Sequence, residues 1–182
     1  KELERYFVFL RPLGPPTFCG MMGCGKTTVA EALFRLTGME QVDTDAEIVK
    51  AHGRIADIFE KFGEARFREI ETQTVKQIAL RDNLIIATGG GCVLSGENVR
   101  ALRQNGKIIF LRTRPETLIK RVEGDTERPL LAGGAAKRIN EILPARTPKY
   151  TAAADEIIDT DELSPEEIAR MIAQKFGLVK TD

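Results

Sequence analysis

Short apolar runs alternate with amphipathic segments along most of the chain. Leu84–Ala87 (LIIA) is apolar throughout, and residues 107–111 (KIIFL) are apolar after the first, which is typical of parallel strands covered on both faces. Shorter strands are predicted at residues 41–42 and Glu156–Asp159. Helical spacing of apolar residues predicts helices at 27–36, 45–51, 55–62, 64–80, 98–104, 115–121 and 137–143, with a last one after the Ser164 capping sequence. This alternation predicts a single-domain, three-layer α/β/α fold with a short parallel sheet and helices on both faces.

The first strand is harder to place. Residues 17–19 (TFC) directly precede Gly20 but follow two prolines, which lack the N–H groups of a central strand. Residues 6–10 (YFVFL) have the apolar character of a buried strand but stand ten residues before Gly20. Because strand and glycine-rich loop are continuous in folds of this kind, we expect residues 17–19 to form the strand and residues 1–16 to be an atypical extension.

Composition narrows the class of protein. The chain of 182 residues has 27 Lys and Arg against 27 Asp and Glu, so no overall charge favours nucleic acid or a membrane surface. No apolar run approaches the roughly 20 residues that cross a bilayer, and YFVFL is too short for a secretory leader. Three cysteines without CxxC spacing predict free thiols in a reducing cytoplasm. We give the single histidine, His52, no role.

Residues 20–27 (GMMGCGKT) match the phosphate-loop pattern G-x-x-x-x-G-K-[ST] in full. Glycines let backbone N–H groups turn toward phosphates, and the helix that follows directs its positive end at them. In this pattern Lys26 reaches the β- and γ-phosphates and the Thr27 hydroxyl binds Mg²⁺. The loop therefore predicts binding of a nucleoside triphosphate, and it leaves the phosphoryl acceptor open.

Acidic residues and a glycine run follow two of the predicted strands. Asp43 and Asp45 have the period-two spacing that places both carboxylates on one side of an extended chain. We interpret them as a metal or hydroxyl site, although one of them could instead cap the next helix. Gly89, Gly90 and Gly91 follow the best buried strand, which predicts a close approach to the backbone there.

Three arginines have distinctive surroundings, and each taken alone could be a surface charge. Arg68, Arg128 and Arg146 lie in ARFREIE, TERPLLAG and PARTPKY. Since a guanidinium grips carboxylate or phosphate in a bidentate manner, a small anionic acceptor would explain several of them together.

Taken in order, these motifs resemble the shikimate kinase family, whose members are small kinases of the nucleoside monophosphate kinase-like P-loop fold. The resemblance runs from about residue 18 to residue 177 and rests on GMMGCGKTT, VDTDAEI, IADIFEKFGEARFREIE, ATGGGCV, ERPLLAG and ARTPKY. It implies transfer of the γ-phosphoryl group of ATP to the 3-hydroxyl of shikimate, giving shikimate 3-phosphate and ADP in aromatic amino acid biosynthesis. It also implies a cytoplasmic enzyme that acts as a monomer on small molecules.

The resemblance assigns roles to matching positions. The nucleotide side comprises Gly23, Cys24, Gly25, Lys26, Thr27 and Thr28 around the phosphates, Arg121 and Pro165 around adenine, and Arg128 over the transferring group. The acceptor side comprises Asp45, Arg68, Gly89, Gly90, Gly91 and Arg146. Thr27 and Asp43 would hold Mg²⁺, and Lys26, Asp45 and Arg128 would be catalytic.

The resemblance also divides the single domain, residues 1–182, into functional regions. The substrate-binding region covers about residues 43–72, and a mobile lid covers about 123–136. One departure lies at Gly53–Ile55, where the chain is one residue short. Two other functions remain open at this point: a related gluconate or nucleoside monophosphate kinase, and a non-catalytic nucleotide-binding module.

Overall fold

The computed structural model describes residues 14–123 and 134–178 of the chain. Its strands form one parallel sheet of five in the order β2-β3-β1-β4-β5. They are β1 (Pro16–Cys19), β2 (Glu40–Asp43), β3 (Leu84–Ala87), β4 (Lys107–Arg112) and β5 (Glu156–Asp159). This sheet and the helices on its two faces confirm the predicted fold class.

Seven helices lie within the described residues. They are α1 (Lys26–Thr37), α2 (Thr44–His52), α3 (Ile55–Ala79), α4 (Gly96–Asn105), α5 (Pro115–Glu123), α6 (Ala135–Ala153) and α7 (Pro165–Lys175), with a short 3₁₀ turn at Cys92–Leu94. Helix α7 begins at the predicted capping box, in which the Ser164 hydroxyl and the Glu167 carboxylate cap each other's backbone N–H groups. In the described part of the chain, every helix is too short or too polar to cross a bilayer.

The strands divide the interior into two cores because successive side chains point to opposite faces. In β3, Ile85 packs toward α1 and α7, whereas Ile86 packs toward α3 and α4. Strand β4 repeats this alternation with Ile109 on the first face and Ile108 on the second. Both faces of the parallel sheet are therefore covered, which explains why these strands are apolar without a polar alternation.

Strand β1 occupies the centre of the sheet, as the continuity argument predicted, and begins at Pro16. A proline at the first position of a strand removes only one N–H from the ladder. The carbonyl of Pro15 still accepts from Lys107 N at 3.1 Å, so the strand pairs with β4 from its start. The alternative strand at residues 6–10 lies outside the described residues.

Two helices differ from their predicted bounds. Residues 55–62 and 64–80 were predicted as separate helices, and α3 runs through both with a break at Gly63 (φ 78°, ψ 173°). The helix predicted at 137–143 was too short, because α6 continues through Pro144 to Ala153. Burial of Tyr150 and Ala153 in the second core offsets the local penalties of Pro144 and Pro148.

We predict that Thr17→Val stabilises the fold. Thr17 is fully buried in β1 between Ile86 and Ile108, and within the described residues its hydroxyl has no hydrogen-bond partner. Valine has nearly the same shape without the unsatisfied group, so the free energy of unfolding should rise by about 1 kcal/mol. Urea denaturation followed by circular dichroism measures this difference.

Thr88→Val is the matched control for this prediction. The Thr88 hydroxyl is equally buried but donates to the Phe18 carbonyl at 2.9 Å. Its removal should lower the free energy of unfolding by about 1 kcal/mol. A loss of stability in both variants would contradict the idea that the Thr17 hydroxyl is a cost.

Candidate active site

One cleft of about 800 Å³ opens at the carboxyl ends of the strands, where ligands bind in open α/β sheets. It brings together every site residue that the sequence predicted within the described part of the chain. These residues are Gly23, Cys24, Gly25, Lys26, Thr27, Thr28, Asp43, Asp45, Arg68, Gly89, Gly90, Gly91, Arg121, Arg146 and Pro165. Arg128 and most of the predicted lid, residues 124–133, lie outside the described residues.

The glycine-rich loop forms one end of the cleft. Gly25 is the N-cap of α1 with φ at 100°, and no side chain caps the first turn of this helix. The backbone N–H groups of that turn therefore remain available for an anion. Lys26 Nζ lies over the loop and donates to the carbonyls of Gly20 (3.0 Å) and Met21 (3.1 Å), which places a positive charge at the same end.

Arg121 links this loop to the far wall of the nucleotide end. Its guanidinium donates to the carbonyls of Gly23 and Cys24 and to that of Thr160, each at 3.4 Å. Pro165 lines the same part of the cleft at the start of α7. The Cys24 side chain is buried, so this residue presents its backbone to the cleft.

Asp43 and Asp45 follow β2 and differ in their surroundings. Asp43 is the N-cap of α2, because its Oδ1 accepts from the backbone N–H of Asp45 (2.9 Å) and of Ala46 (3.1 Å). The capping alternative therefore holds for Asp43. Its Oδ2 takes no hydrogen bond from the described residues, and Asp43 lines the cleft.

Asp45 lies in the first turn of α2 with its Oδ1 buried and unpartnered among the described residues. Burial, together with the neighbouring charges of Asp43 and Glu71, raises the pKa of this carboxyl to about 6 against the opposing effect of Lys26 and Arg68. Asp45 is therefore mostly ionised at neutral pH, and its Oδ1 is a strong hydrogen-bond acceptor.

The glycine turn after β3 allows this carboxylate to approach the backbone. A Cβ at Gly89 would overlap the Asp45 carboxylate, and a Cβ at Gly91 would lie 2.7 Å from an Arg68 nitrogen. The N–H of Gly89 donates to the buried hydroxyl of Thr44 at 2.9 Å. The close approach predicted from the glycine run is thus made by side chains of α2 and α3.

Sequence reasoning missed the residue that holds Arg68. Glu71 is buried, and its carboxylate accepts from Arg68 Nη1 at 2.9 Å, while the exposed Glu64 takes the other side of the guanidinium. Burial raises the pKa of Glu71 against the opposing effect of Arg68. The spacing of three residues on one helix was a readable signal for this pair. Tyr150 was also missed, although it stands one turn after Arg146.

Comparisons with known proteins agree with this geometry. A family model described as shikimate kinase matches residues 22–176. The shikimate kinase of Thermodesulfovibrio yellowstonii is 43% identical over 159 residues, covering 86% of this chain and 91% of the relative. That of Enterococcus faecalis is 40% identical over 160 residues, covering 86% of this chain and 95% of the relative.

Solved structures give the same result. The shikimate kinase of Acinetobacter baumannii in complex with shikimate has a TM-score of 0.83 and 34% identity, with 96% of this chain and 99% of that chain covered. The shikimate kinase of Bacteroides thetaiotaomicron has a TM-score of 0.81 and 30% identity, with 90% of this chain and 99% of that chain covered.

We predict that Asp45→Asn raises stability at neutral pH. A folded-state pKa above the unfolded value means that the folded state binds more protons between about pH 4 and pH 6, so its stability falls as pH rises through that window. The amide escapes this loss, and the midpoint of thermal unfolding should rise by about 4–8 °C at pH 7.5. At pH 3.5 the two proteins should unfold at nearly the same temperature.

Asp57→Asn is the control, measured like the first variant in the presence of a chelator. Asp57 is a partly exposed carboxylate whose pKa is lowered by its hydrogen bond with Arg54, so an asparagine there should gain no stability at neutral pH. An Asp45→Asn protein that is less stable than the parent at pH 7.5 would show that the carboxylate is not strained by burial.

Proposed function

The chain belongs to the shikimate kinase family, and from that membership we propose how its cleft transfers the γ-phosphoryl group of ATP to the 3-hydroxyl of shikimate. One observation carries this proposal. One cleft has a phosphate loop at one end and, at the other, Arg68, Arg146 and the Asp45 carboxylate, whose buried Oδ1 has no hydrogen-bond partner among the described residues. A ring that bears hydroxyls and a carboxylate matches the second end, and a triphosphate matches the first.

The nucleotide is held at the loop end. The free N–H groups at the start of α1 take the phosphate oxygens, and Lys26 turns from the loop carbonyls to the β- and γ-phosphates. Thr28 adds a hydroxyl in the same turn. Arg121 and Pro165 lie on the wall beyond the loop, where they flank the adenine ring.

The acceptor is held at the other end by charge and by backbone. Arg68 and Arg146 grip its carboxylate, since both guanidinium groups line the cleft beside the glycine turn. The ring lies beside Gly89–Gly91, which contribute no side chains of their own to the cleft. Asp45 accepts a hydrogen bond from the attacking hydroxyl and orients it toward the γ-phosphoryl group or removes its proton.

Two residues fit a magnesium ion. The Thr27 hydroxyl and the second oxygen of Asp43 are hard donors that line the cleft together. Within the described residues no cluster of three His, Cys, Asp or Glu side chains could hold a metal by itself, which suits an ion that takes most of its ligands from phosphates and water. When bound, Mg²⁺ neutralises charge on the phosphates.

Catalysis in this cleft is mainly positioning and charge stabilisation. Phosphoryl transfer spreads negative charge over the γ-phosphoryl oxygens and asks for little covalent chemistry from the protein. Lys26 supplies positive charge from the loop, and we assign Arg128 to the same task from the lid region. Closure of that region would exclude water as a competing acceptor.

We also propose that the chain works as a monomer in the cytoplasm. Both ends of the cleft come from one chain, so a second copy is not needed to complete the site. Cys19, Cys24 and Cys92 are buried free thiols, which are typical of a reducing compartment. Gel filtration combined with light scattering tests the oligomeric state.

Turnover with Mg-ATP and shikimate is the direct test of the proposal. We expect ADP release with shikimate and none above background with gluconate or nucleoside monophosphates. Asp45→Asn should lower kcat by about 10²–10⁴-fold because the attacking hydroxyl loses its acceptor, while calorimetry should show unchanged ATP affinity. Full turnover in this variant would refute the role of Asp45, and ATP binding without any turnover by the parent would favour a non-catalytic module.

We predict that Arg68→Lys weakens binding of the acid substrate and leaves ATP binding unchanged. Lysine keeps the charge but loses the planar fork that meets both a carboxylate and Glu71, so KM for shikimate should rise about 10- to 100-fold. Steady-state kinetics at saturating ATP measures the change. Arg66→Lys, on the exposed face of the same helix, is the matched control. An equal rise in the KM for ATP would point to damage to the whole cleft.

A further inference from the structure

A fully buried tyrosine supports the glycine turn from below. Tyr150 lies on α6 one turn after Arg146, and its hydroxyl donates to the Gly90 carbonyl at 2.6 Å. Its ring packs on Phe110 of β4 with centroids 5.1 Å apart. Burial raises the pKa of Tyr150 to about 12 against the opposing effect of Arg146, so the hydroxyl is a protonated donor at neutral pH. The phenol therefore has a fixed direction and a fixed partner.

Arg146 reaches toward the same carbonyl. Its Nη1 lies 3.5 Å from Gly90 O, at the limit of a hydrogen bond, while the Tyr150 contact is short. A carbonyl with a strong donor already in place is a weaker acceptor for a second one. Tyr150 thus keeps the Arg146 guanidinium from binding tightly to the backbone, and the positive charge stays available to the cleft.

The same hydrogen bond also fixes the peptide between Gly90 and Gly91. In a trans peptide the C=O and the N–H point in opposite directions, so a carbonyl held toward α6 directs the Gly91 N–H away from α6. Among the described residues this N–H donates to no acceptor. Glycine peptides rotate easily, and at this position neither flanking residue has a side chain that would resist rotation.

We propose that Tyr150 is a positioning residue for the anionic acceptor, acting through Gly90 on both Arg146 and the Gly91 N–H. This inference rests on the proposed function, because it concerns the end of the cleft assigned to shikimate. It extends that function by assigning part of the affinity for the acid to a side chain that is buried beneath the turn. The nucleotide end is attached to β1 and α1 and does not depend on this contact.

Tyr150→Phe tests the inference with little change in packing. Phenylalanine keeps the ring on Phe110 and removes only the hydroxyl, after which Arg146 is free to bind the Gly90 carbonyl. We expect KM for shikimate to rise about 5- to 20-fold, with kcat and the KM for ATP within twofold of the parent. Thr147→Val is the matched control, since its hydroxyl on the same helix donates to Leu143 and not to the turn. Its kinetic constants should not change.

A double-mutant cycle separates positioning from general stability. In an Arg146→Ala background, Tyr150→Phe should raise KM for shikimate by much less than in the parent. Without Arg146, no guanidinium can move from the cleft to the Gly90 carbonyl when the hydroxyl is removed. The methyl ester of shikimate should likewise be less sensitive to Tyr150→Phe than the acid. Both results support a role through the anionic group.

Several outcomes would overturn the inference. An unchanged KM for shikimate in Tyr150→Phe, or an equal rise in the KM for ATP, would mean that the hydroxyl serves only the fold. Additive effects in the cycle would contradict the proposed action through Arg146. Failure of the proposed function is distinguishable from these results, because the parent protein itself would then show no turnover with shikimate.

Discussion

The cleft depends on how closely side chains approach the backbone at Gly89–Gly91. Asp45 occupies the space that a Cβ at the first glycine would fill, and Arg68 occupies that space at the third. Arg146 and Tyr150 meet the carbonyl of the second. Helices α2, α3 and α6 therefore converge on this stretch of backbone, and a side chain at Gly89 or Gly91 would displace Asp45 or Arg68. The glycine turn and the side chains that these three helices place beside it together form the surface on which a ring can lie.

The sheet sets the distance between the two ends of the cleft. Strands β1 and β3 are neighbours, so the phosphate loop and the glycine turn leave the sheet about 4.8 Å apart. Thr88 ties the strand ends together, since its N–H and its hydroxyl both donate to the Phe18 carbonyl. Donor and acceptor groups are thereby positioned by the buried sheet rather than by loops. This arrangement explains why a central strand of only four residues, begun by a proline, is enough to carry the phosphate loop.

Much of the fold and of the candidate site was predictable from the sequence, because these features depend on short sequence patterns. The apolar runs gave the parallel strands, the phosphate loop gave the nucleotide end, and glycine chemistry predicted a close approach at residues 89–91. The length of α6 was not predictable, because local penalties at two prolines pointed to a shorter helix and only packing of Tyr150 reveals its advantage. Glu71 was missed for a similar reason. An acid three residues from an arginine usually lies on a solvated surface, and its burial is a property of the fold.

Buried polar atoms without hydrogen-bond partners differ in meaning according to whether they line the cleft. Within the described residues, three buried side-chain oxygens lack a hydrogen-bond partner: Thr17 Oγ1, Asp45 Oδ1 and Asn98 Oδ1. Each costs stability, yet only Asp45 lines the cleft, where a hydroxyl-bearing ligand can reach it. Its desolvation also raises its pKa, which makes it a better base than an ordinary aspartate at neutral pH. The unsatisfied hydroxyl of Thr17 has no comparable role in the cleft, because a β-branched apolar residue would fill the same place in β1. The free energy of desolvating Asp45 is offset during folding, before any substrate binds. The folded protein therefore already holds a charged hydrogen-bond acceptor where the reaction needs one.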